Sequence, residues 1–175
     1  MAQSQSTPTP SAPCRQVRLR DVVEGDLETL FRHHSDPAAI WMAAFSRKEM
    51  TTREGFMARW VRLFADASIL KQVVLIEEPS GTWRIAGFAG SFDRDGKREV
   101  TYWIDRACWG RGVATLALKA LLDLDRTRPM HASAAADNAG SLRVLEKCGF
   151  VRTGSAAAFA EGRDAQVEEV FMVLT

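Results

Sequence analysis

The chain has 175 residues, of which 46% are hydrophobic and 26% charged, with a formal net charge of +1. That length suits one compact domain with a core of its own, and the balance excludes both a disordered chain and a strongly basic nucleic-acid binder. Cys14, Cys108 and Cys148 share no metal-ligand or Cys-x-x-Cys spacing, and no apolar stretch approaches the roughly 20 residues that span a bilayer. Reduced thiols, a cytoplasmic location, no membrane partner and no metal are therefore expected.

In chain order, residues 1–14 are dominated by Ser, Thr, Gln, Pro and Ala, which bury too little apolar surface to offset their ordering entropy. They are read as a flexible tail without an export leader, before a single domain over 15–175. Val17 and Leu19 alternate with Gln16, Arg18 and Arg20 as a short strand, and Leu27, Leu30, Phe31 and His34 follow at helical spacing. Asp36-Pro37 is read as breaking that helix. Thr51 with Glu54 reads as a capping box opening a second helix, with Phe56, Trp60, Leu63 and Phe64 on one face and its end near Ala67.

Three strands follow, around Val73–Ile76, over Trp83–Phe92 and over Glu99–Ile104, separated by Pro79-Ser80-Gly81 and Asp93-Arg94-Asp95-Gly96. They are expected to be antiparallel neighbours. The period then changes: Val113, Leu116, Ala117, Ala120, Leu121 and Leu124 form the apolar face of the clearest amphipathic helix in the chain. Met130–Ala135 reads as a short buried strand, and Asn138 caps a helix carrying Leu142, Leu145 and Cys148, stopped by Gly149. Phe150–Phe159 and Gln166–Leu174 flank a turn at Ala160-Glu161-Gly162-Arg163-Asp164 as a closing hairpin. The sum is an α+β domain: a mixed, mostly antiparallel seven-stranded sheet with about four helices on its faces.

Trp109-Gly110-Arg111-Gly112-Val113-Ala114 lies between a strand and the amphipathic helix. Free N–H groups at a helix start, the positive end of the helix dipole and Arg111 together make an anion site suited to a pyrophosphate; a plain glycine-rich turn is the alternative. A P-loop lacks its Gly-Lys-Ser/Thr here, and a dinucleotide fingerprint lacks its third small residue, with Thr115 in its place.

Three segments in this order carry a resemblance: Glu99-Val100-Thr101-Tyr102-Trp103-Ile104, then Trp109-Gly110-Arg111-Gly112-Val113-Ala114-Thr115, then Asn138-Ala139-Gly140-Ser141-Leu142-Arg143-Val144-Leu145-Glu146-Lys147-Cys148-Gly149-Phe150. They resemble the GNAT superfamily of CoA-dependent N-acetyltransferases, in particular its ribosomal-protein N-terminal-acetylating branch. The resemblance is dense over 99–150 and extends more weakly from Gln16 to Thr175. It implies a single GNAT-like domain whose sheet splays at the CoA cleft, with acetyl-CoA as co-substrate. Backbone amides of Arg111, Gly112, Val113 and Ala114 would hold the pyrophosphate, and pantetheine would lie along Trp103 and Ile104. Asn138 would bond the pantetheine arm, although capping its helix is an equally physical use. Ser141 would lie near the CoA sulfur. Arg143 could reach a phosphate, but a solvated helix face is the reading favoured for it.

The chemistry needs a neutral amine and a leaving thiolate that is protonated or tolerated, and it requires no covalent nucleophile. The resemblance makes Glu99 the base, acting through water at the start of the strand lining the cleft, with Glu161, Glu168 and Glu169 as alternates. Ser141 stands beside it as the second catalytic candidate. Leu145 occupies a position where many members carry a tyrosine acid, and Tyr102 is the sole tyrosine. Cys108, His33, His34 and His131 are read as bystanders. The segment Ile40–Met50 and the turn around Glu161 would flank the acceptor mouth. The expected activity is acetyl transfer to a primary amine, of a protein N-terminus or a small molecule, by direct attack; a catalytically inactive CoA-binding regulatory domain is the alternative. The expected partners are acetyl-CoA and the acceptor, without nucleic acid, and a homodimer is left open.

Overall fold

In the computed structural model residues 13, 14 and 16–175 are described, so the tail expected over 1–14 lies outside the described residues except for Pro13 and Cys14. The Cys14 N–H donates to the Arg111 carbonyl at 2.9 Å. Seven strands form one sheet: β1 (Val17–Asp21), β2 (Leu70–Glu77), β3 (Trp83–Arg94), β4 (Lys97–Ile104), β5 (Met130–Ala135), β6 (Val151–Ala160) and β7 (Ala165–Leu174). Their spatial order is β1-β2-β3-β4-β5-β7-β6. All neighbours are antiparallel except β4 and β5. The β3–β4 hairpin turns on Asp95 and Gly96, both at positive φ, as a two-residue turn matched to strand twist requires.

Five α-helices cover the faces, one more than the four read from periodicity: α1 (Leu27–His34), α2 (Pro37–Ala43), α3 (Arg53–Ala65), α4 (Val113–Leu124) and α5 (Ala139–Lys147). The additional helix is α2. Pro37 does more than end α1: it sits at the first position of a new helix, where no N–H is needed, and Asp36 caps it by accepting from the amides of Ala38 and Ala39 at 2.8 and 3.2 Å. The cap of α3 is Thr52 rather than Thr51, its hydroxyl accepting from the Gly55 amide at 3.2 Å, and the helix ends at Ala65 rather than near Ala67. None of the helices among the described residues is long and apolar enough to cross a membrane.

Two cores result from strand alternation. On one face α4 and α5 bury Val113, Ala117, Leu118, Leu121, Leu142 and Leu145 against Val74, Ile76, Val100 and Met130 of the sheet. On the other, α1 and α3 bury Leu27, Leu30, Phe56 and Trp60 against Val73, and the Trp60 ring meets Phe88 edge-on with centroids 5.7 Å apart.

The parallel pair β4–β5 sets up the site. The two strands are paired at Arg98–Met130 and Glu99–His131 alone, after which β5 is held only by β7, from Met130–Leu174 to Ala135–Glu169. The sheet therefore opens into a V between Val100–Ile104 and the rest of β5, as the splay expectation required. A buried network ties its closed end. Asp125, at the end of α4, accepts from Arg98 Nε at 2.7 Å and from the Ser91 hydroxyl, with side chains 14% and 8% exposed for Arg98 and Asp125. These bonds hold the Asp125 carboxyl below the usual carboxylate range even though burial alone would raise it.

Candidate active site

At the open end of the V lies the turn into α4. Gly112 caps that helix in the left-handed conformation, φ 81° and ψ 1°, and supplies no side-chain bond to the helix amides. Gly110 has φ 72°. Among the described residues beyond its chain neighbours, a Cβ at either glycine would meet nothing within 4 Å, so their packing does not demand them. The positive φ does, and among the described residues the first amides of this twelve-residue helix have no side-chain cap. That cradle fits a phosphate group.

Alternation along β4 divides its side chains between the two faces. Val100 and Ile104 belong to the α4–α5 core, and Tyr102 packs against it. Glu99, Thr101 and Trp103 point the other way: Trp103 stacks on His34 at a centroid separation of 3.9 Å and donates its indole N–H to the His33 carbonyl at 3.0 Å. Of the two residues expected along pantetheine, Trp103 is thus anchored to α1, whereas Ile104 is buried and its carbonyl accepts from the Trp109 indole at 2.9 Å. What Ile104 offers the V is backbone, since β4 has no strand partner on that side after Glu99, whereas the Trp103 carbonyl faces Gly87 of β3.

Glu99 stands at the last paired position, opposite His131, with its side chain 21% exposed and an ion pair to Arg94 at 3.2 Å. Burial, first of all, raises its carboxyl above the ordinary value, and the charge of Glu169 adds to this; Arg94, His131 and Lys97 pull the other way. The other carboxylates considered as bases are committed elsewhere. Glu161 accepts from the Lys48 amide at 2.8 Å, Glu168 from the Ser155 hydroxyl at 2.7 Å, and Glu169 from the Ser133 hydroxyl.

Ser141 lies in the first turn of α5, on the opposite face. Its hydroxyl is 2.7 Å from the Tyr102 hydroxyl, a contact that sequence reasoning missed. Tyr102 sits 39 residues earlier on another element, and nothing local joins the two. Burial pushes the Tyr102 phenol up to about 12, so it stays protonated. Asn138 performs its capping role, Oδ1 accepting from the Ser141 amide at 3.0 Å, and also donates Nδ2–H to the Met42 carbonyl at 3.0 Å. One N–H and one lone pair of the amide remain for a ligand. Arg143 is exposed.

The segment read as an acceptor wall is clamped. Arg163 on the β6–β7 turn donates to both carboxylate oxygens of Asp137, at 2.6 and 3.0 Å, and to the Trp41 carbonyl at 2.7 Å. The Gly162 amide donates to the Ala44 carbonyl at 2.8 Å. His34 is buried, both its ring nitrogens lack partners among the described residues, and burial pushes it down to about 4, which keeps it neutral. Cys108 is 1% exposed, accepts from Arg84 Nη2 at 3.1 Å, and has its thiol raised chiefly by burial, the opposite of a reactive thiolate.

The family model described as an acetyltransferase (GNAT) domain matches residues 16–151. The chain belongs to the GNAT acetyltransferase family. No curated protein matches it by sequence. Among solved structures, this GNAT domain is similar to the spermidine N-acetyltransferase of Vibrio cholerae in complex with CoA and spermine, with a TM-score of 0.71 and 19% identity over 90% of this chain and 95% of that one. The yncA protein of Salmonella typhimurium with acetyl-CoA aligns with a TM-score of 0.70 and 20% identity over 91% and 94% of the two chains. The ribosomal-protein-alanine N-acetyltransferase of Brucella melitensis aligns with a TM-score of 0.70 and 18% identity over 90% and 98%. At these identities the structural likeness establishes the shared GNAT fold. Among the described residues no cluster of three or more His, Cys, Asp or Glu is placed to hold a metal.

Proposed function

We propose that this GNAT domain moves the acetyl group of acetyl-CoA directly onto a primary amine, in the cytoplasm. The observation that carries the proposal is the V between β4 and β5, with an ionisable Glu99 on one face of its closed end and the Ser141–Tyr102 hydroxyl pair on the other. The uncapped amides of Val113 and Ala114, with Gly112 and Arg111 beside them, would hold the pyrophosphate. The β4 edge at Ile104, beside Trp103, with the spare N–H and lone pair of Asn138, would align the pantetheine arm. Acetyl-CoA supplies the activated acyl carbon.

Each protic group has a separate task. Glu99 takes the proton from the incoming ammonium, directly or through water, and the upward shift that burial gives it brings it nearer the working pH. Ser141 donates toward the departing sulfur, and Tyr102 bonds that hydroxyl and orients it. Base and acid on opposite faces of the gap do not neutralise each other, and the acceptor approaches from the Glu99 face. An α-amine of pKa near 8 is roughly a tenth neutral at pH 7, whereas a lysine near 10.4 is far below a hundredth, so the modest base favours an α-amine.

The test is thiol release from acetyl-CoA with pooled amines, followed by mass spectrometry of the products. Acetylated amine formed in proportion to thiol released is the expected result. A tight CoA complex that releases no thiol with any amine would instead identify a regulatory CoA-binding domain.

A further inference from the structure

Outside the catalytic pair, the Glu99 face carries a concentration of arginines that its fold contacts only partly use. The 3₁₀ turn Lys48–Thr51, with Arg47 at its start, is pressed against the first turn of α3: a Cβ at Gly55 would run into the Glu49 carbonyl. This brings Arg47 and Glu49 alongside Arg59 and Arg62, one helical turn apart on α3. From the sheet side Arg94 folds back over the Phe92 ring, 5.1 Å from guanidinium carbon to ring centre, and reaches Glu99, whose cross-strand neighbour is Phe92. Arg62 pairs with Glu49 at 3.6 Å.

Two guanidinium groups remain. Among the described residues the guanidinium groups of Arg59 and Arg47 have no hydrogen-bond or ion-pair partner. Arg47 is exposed, but Arg59 is half-buried, and burial with the charges of Arg47, Arg62 and Arg94 depresses its guanidinium while Glu49 alone opposes them. Taking Lys97, Glu49, Glu99 and Glu169 into account, the neighbourhood holds five cations against three carboxylates in a chain whose formal net charge is +1. A partly desolvated guanidinium facing other arginines costs stability, and a bound anion removes that cost.

We propose that the acceptor amine carries a carboxylate, which Arg59 and Arg47 hold on the Glu99 face, and that polyamines are disfavoured there. The inference rests on the acetyl-transfer reading, because it takes the Glu99 face as the acceptor side. Arg presents a planar fork that matches a carboxylate in two-point contact, whereas a polycation brought to the same place meets like charge. The carboxylate can come from a free amino acid or from an acidic side chain near a peptide N-terminus, and both present it within a few bonds of an α-amine.

Three amines separate the possibilities: free glutamate, a peptide amide with Asp and Glu among its first residues, and spermidine. With wild-type protein and acetyl-CoA, the glutamate or the acidic peptide is expected to give a kcat/KM at least about tenfold above spermidine, and whichever leads identifies the source of the carboxylate. Arg59→Gln is expected to lower the leading value by about ten- to a hundredfold, the worth of one charge-assisted hydrogen bond, and to leave spermidine unchanged or improved. Arg47→Gln, at an exposed position, should act in the same direction if Arg59→Gln does not fold.

Calorimetric titration of the same amines into the protein with CoA reads binding without turnover. Loss of acidic-amine binding in the variants supports the assignment even where no thiol is released. Equal use of spermidine and the acidic amines, or an unchanged preference in both variants, overturns it while leaving acetyl transfer standing. Absence of thiol release with every amine counts against acetyl transfer instead.

Discussion

Replacing Gly112 by alanine separates the architecture of the CoA cradle from its chemistry. Its φ of 81° lies where an L-residue is disfavoured by about 1–2 kcal/mol, and among the described residues beyond its chain neighbours no atom lies within 4 Å of the added methyl, so their packing adds no further cost. For a domain of this size about 1 kcal/mol lowers Tm by about 2–4 °C, which places the unliganded variant about 2–8 °C below wild type. The methyl occupies the space above the uncapped amides of α4. It should remove a charge-assisted hydrogen bond from amide to phosphate, weakening CoA by about tenfold or more. Wild type at a ligand concentration of one hundred Kd gains about 2.7 kcal/mol, a rise of about 5–11 °C, and the variant should lose about half of that gain or more. Gly96→Ala is the control: φ is 73°, the space is equally open, and the residue lies in the β3–β4 turn. It should show similar strain with a full CoA response. The assay is thermal unfolding with and without CoA. A Gly112→Ala protein destabilised as calculated yet raised by CoA as much as wild type would refute the cradle.

The Glu99→Gln variant should bind CoA normally and lose about a hundredfold or more in kcat at pH 7, with the deficit shrinking toward pH 9 as more amine becomes neutral; wild-type rates across that range would dismiss Glu99 as the base. Because burial raises its pKa, Glu99 contributes stability below its ordinary value that is lost as pH rises through the folded one, so at pH 7 this variant should melt no lower than wild type. Tyr102→Phe keeps the ring and deletes the bond to Ser141, and kcat should fall by about two- to tenfold with KM for the acceptor unchanged; an unaltered kcat would leave the pair a packing feature. Asp125 has the opposite linkage: its depressed pKa contributes stability at neutral pH that is lost as pH falls below about 5. Asp125→Asn should therefore destabilise the fold at pH 7 and flatten its acid denaturation profile, which urea titrations at pH 7 and pH 3 would measure.

Much of this protein was legible locally. A helix stripe such as Val113–Leu124 and a cap at Asn138 depend on neighbours within a few residues, so their residue patterns were sufficient; Asp93-Arg94-Asp95-Gly96 marked the β3–β4 turn, although the strands run on to Arg94 and resume at Lys97. The loop Trp109–Ala114 belongs with them, since positive φ and an uncapped helix start are properties of the local backbone. Even so, α2 was read as a simple break, because Asp-Pro ends one helix and starts another with the same two residues.

What tertiary structure alone decided is which groups meet. The V exists because β5 leaves β4 after Glu99–His131 and continues with β7, a choice made by packing over the whole sheet. The Tyr102–Ser141 pair, the Asp125–Ser91–Arg98 staple and the convergence of Arg47, Arg59 and Arg94 on the Glu99 face join residues far apart in the chain. A sequence fixes short-range geometry through sterics and hydrogen bonds to near neighbours, whereas burial, electrostatic field and long-range partners take their values only after the elements have packed.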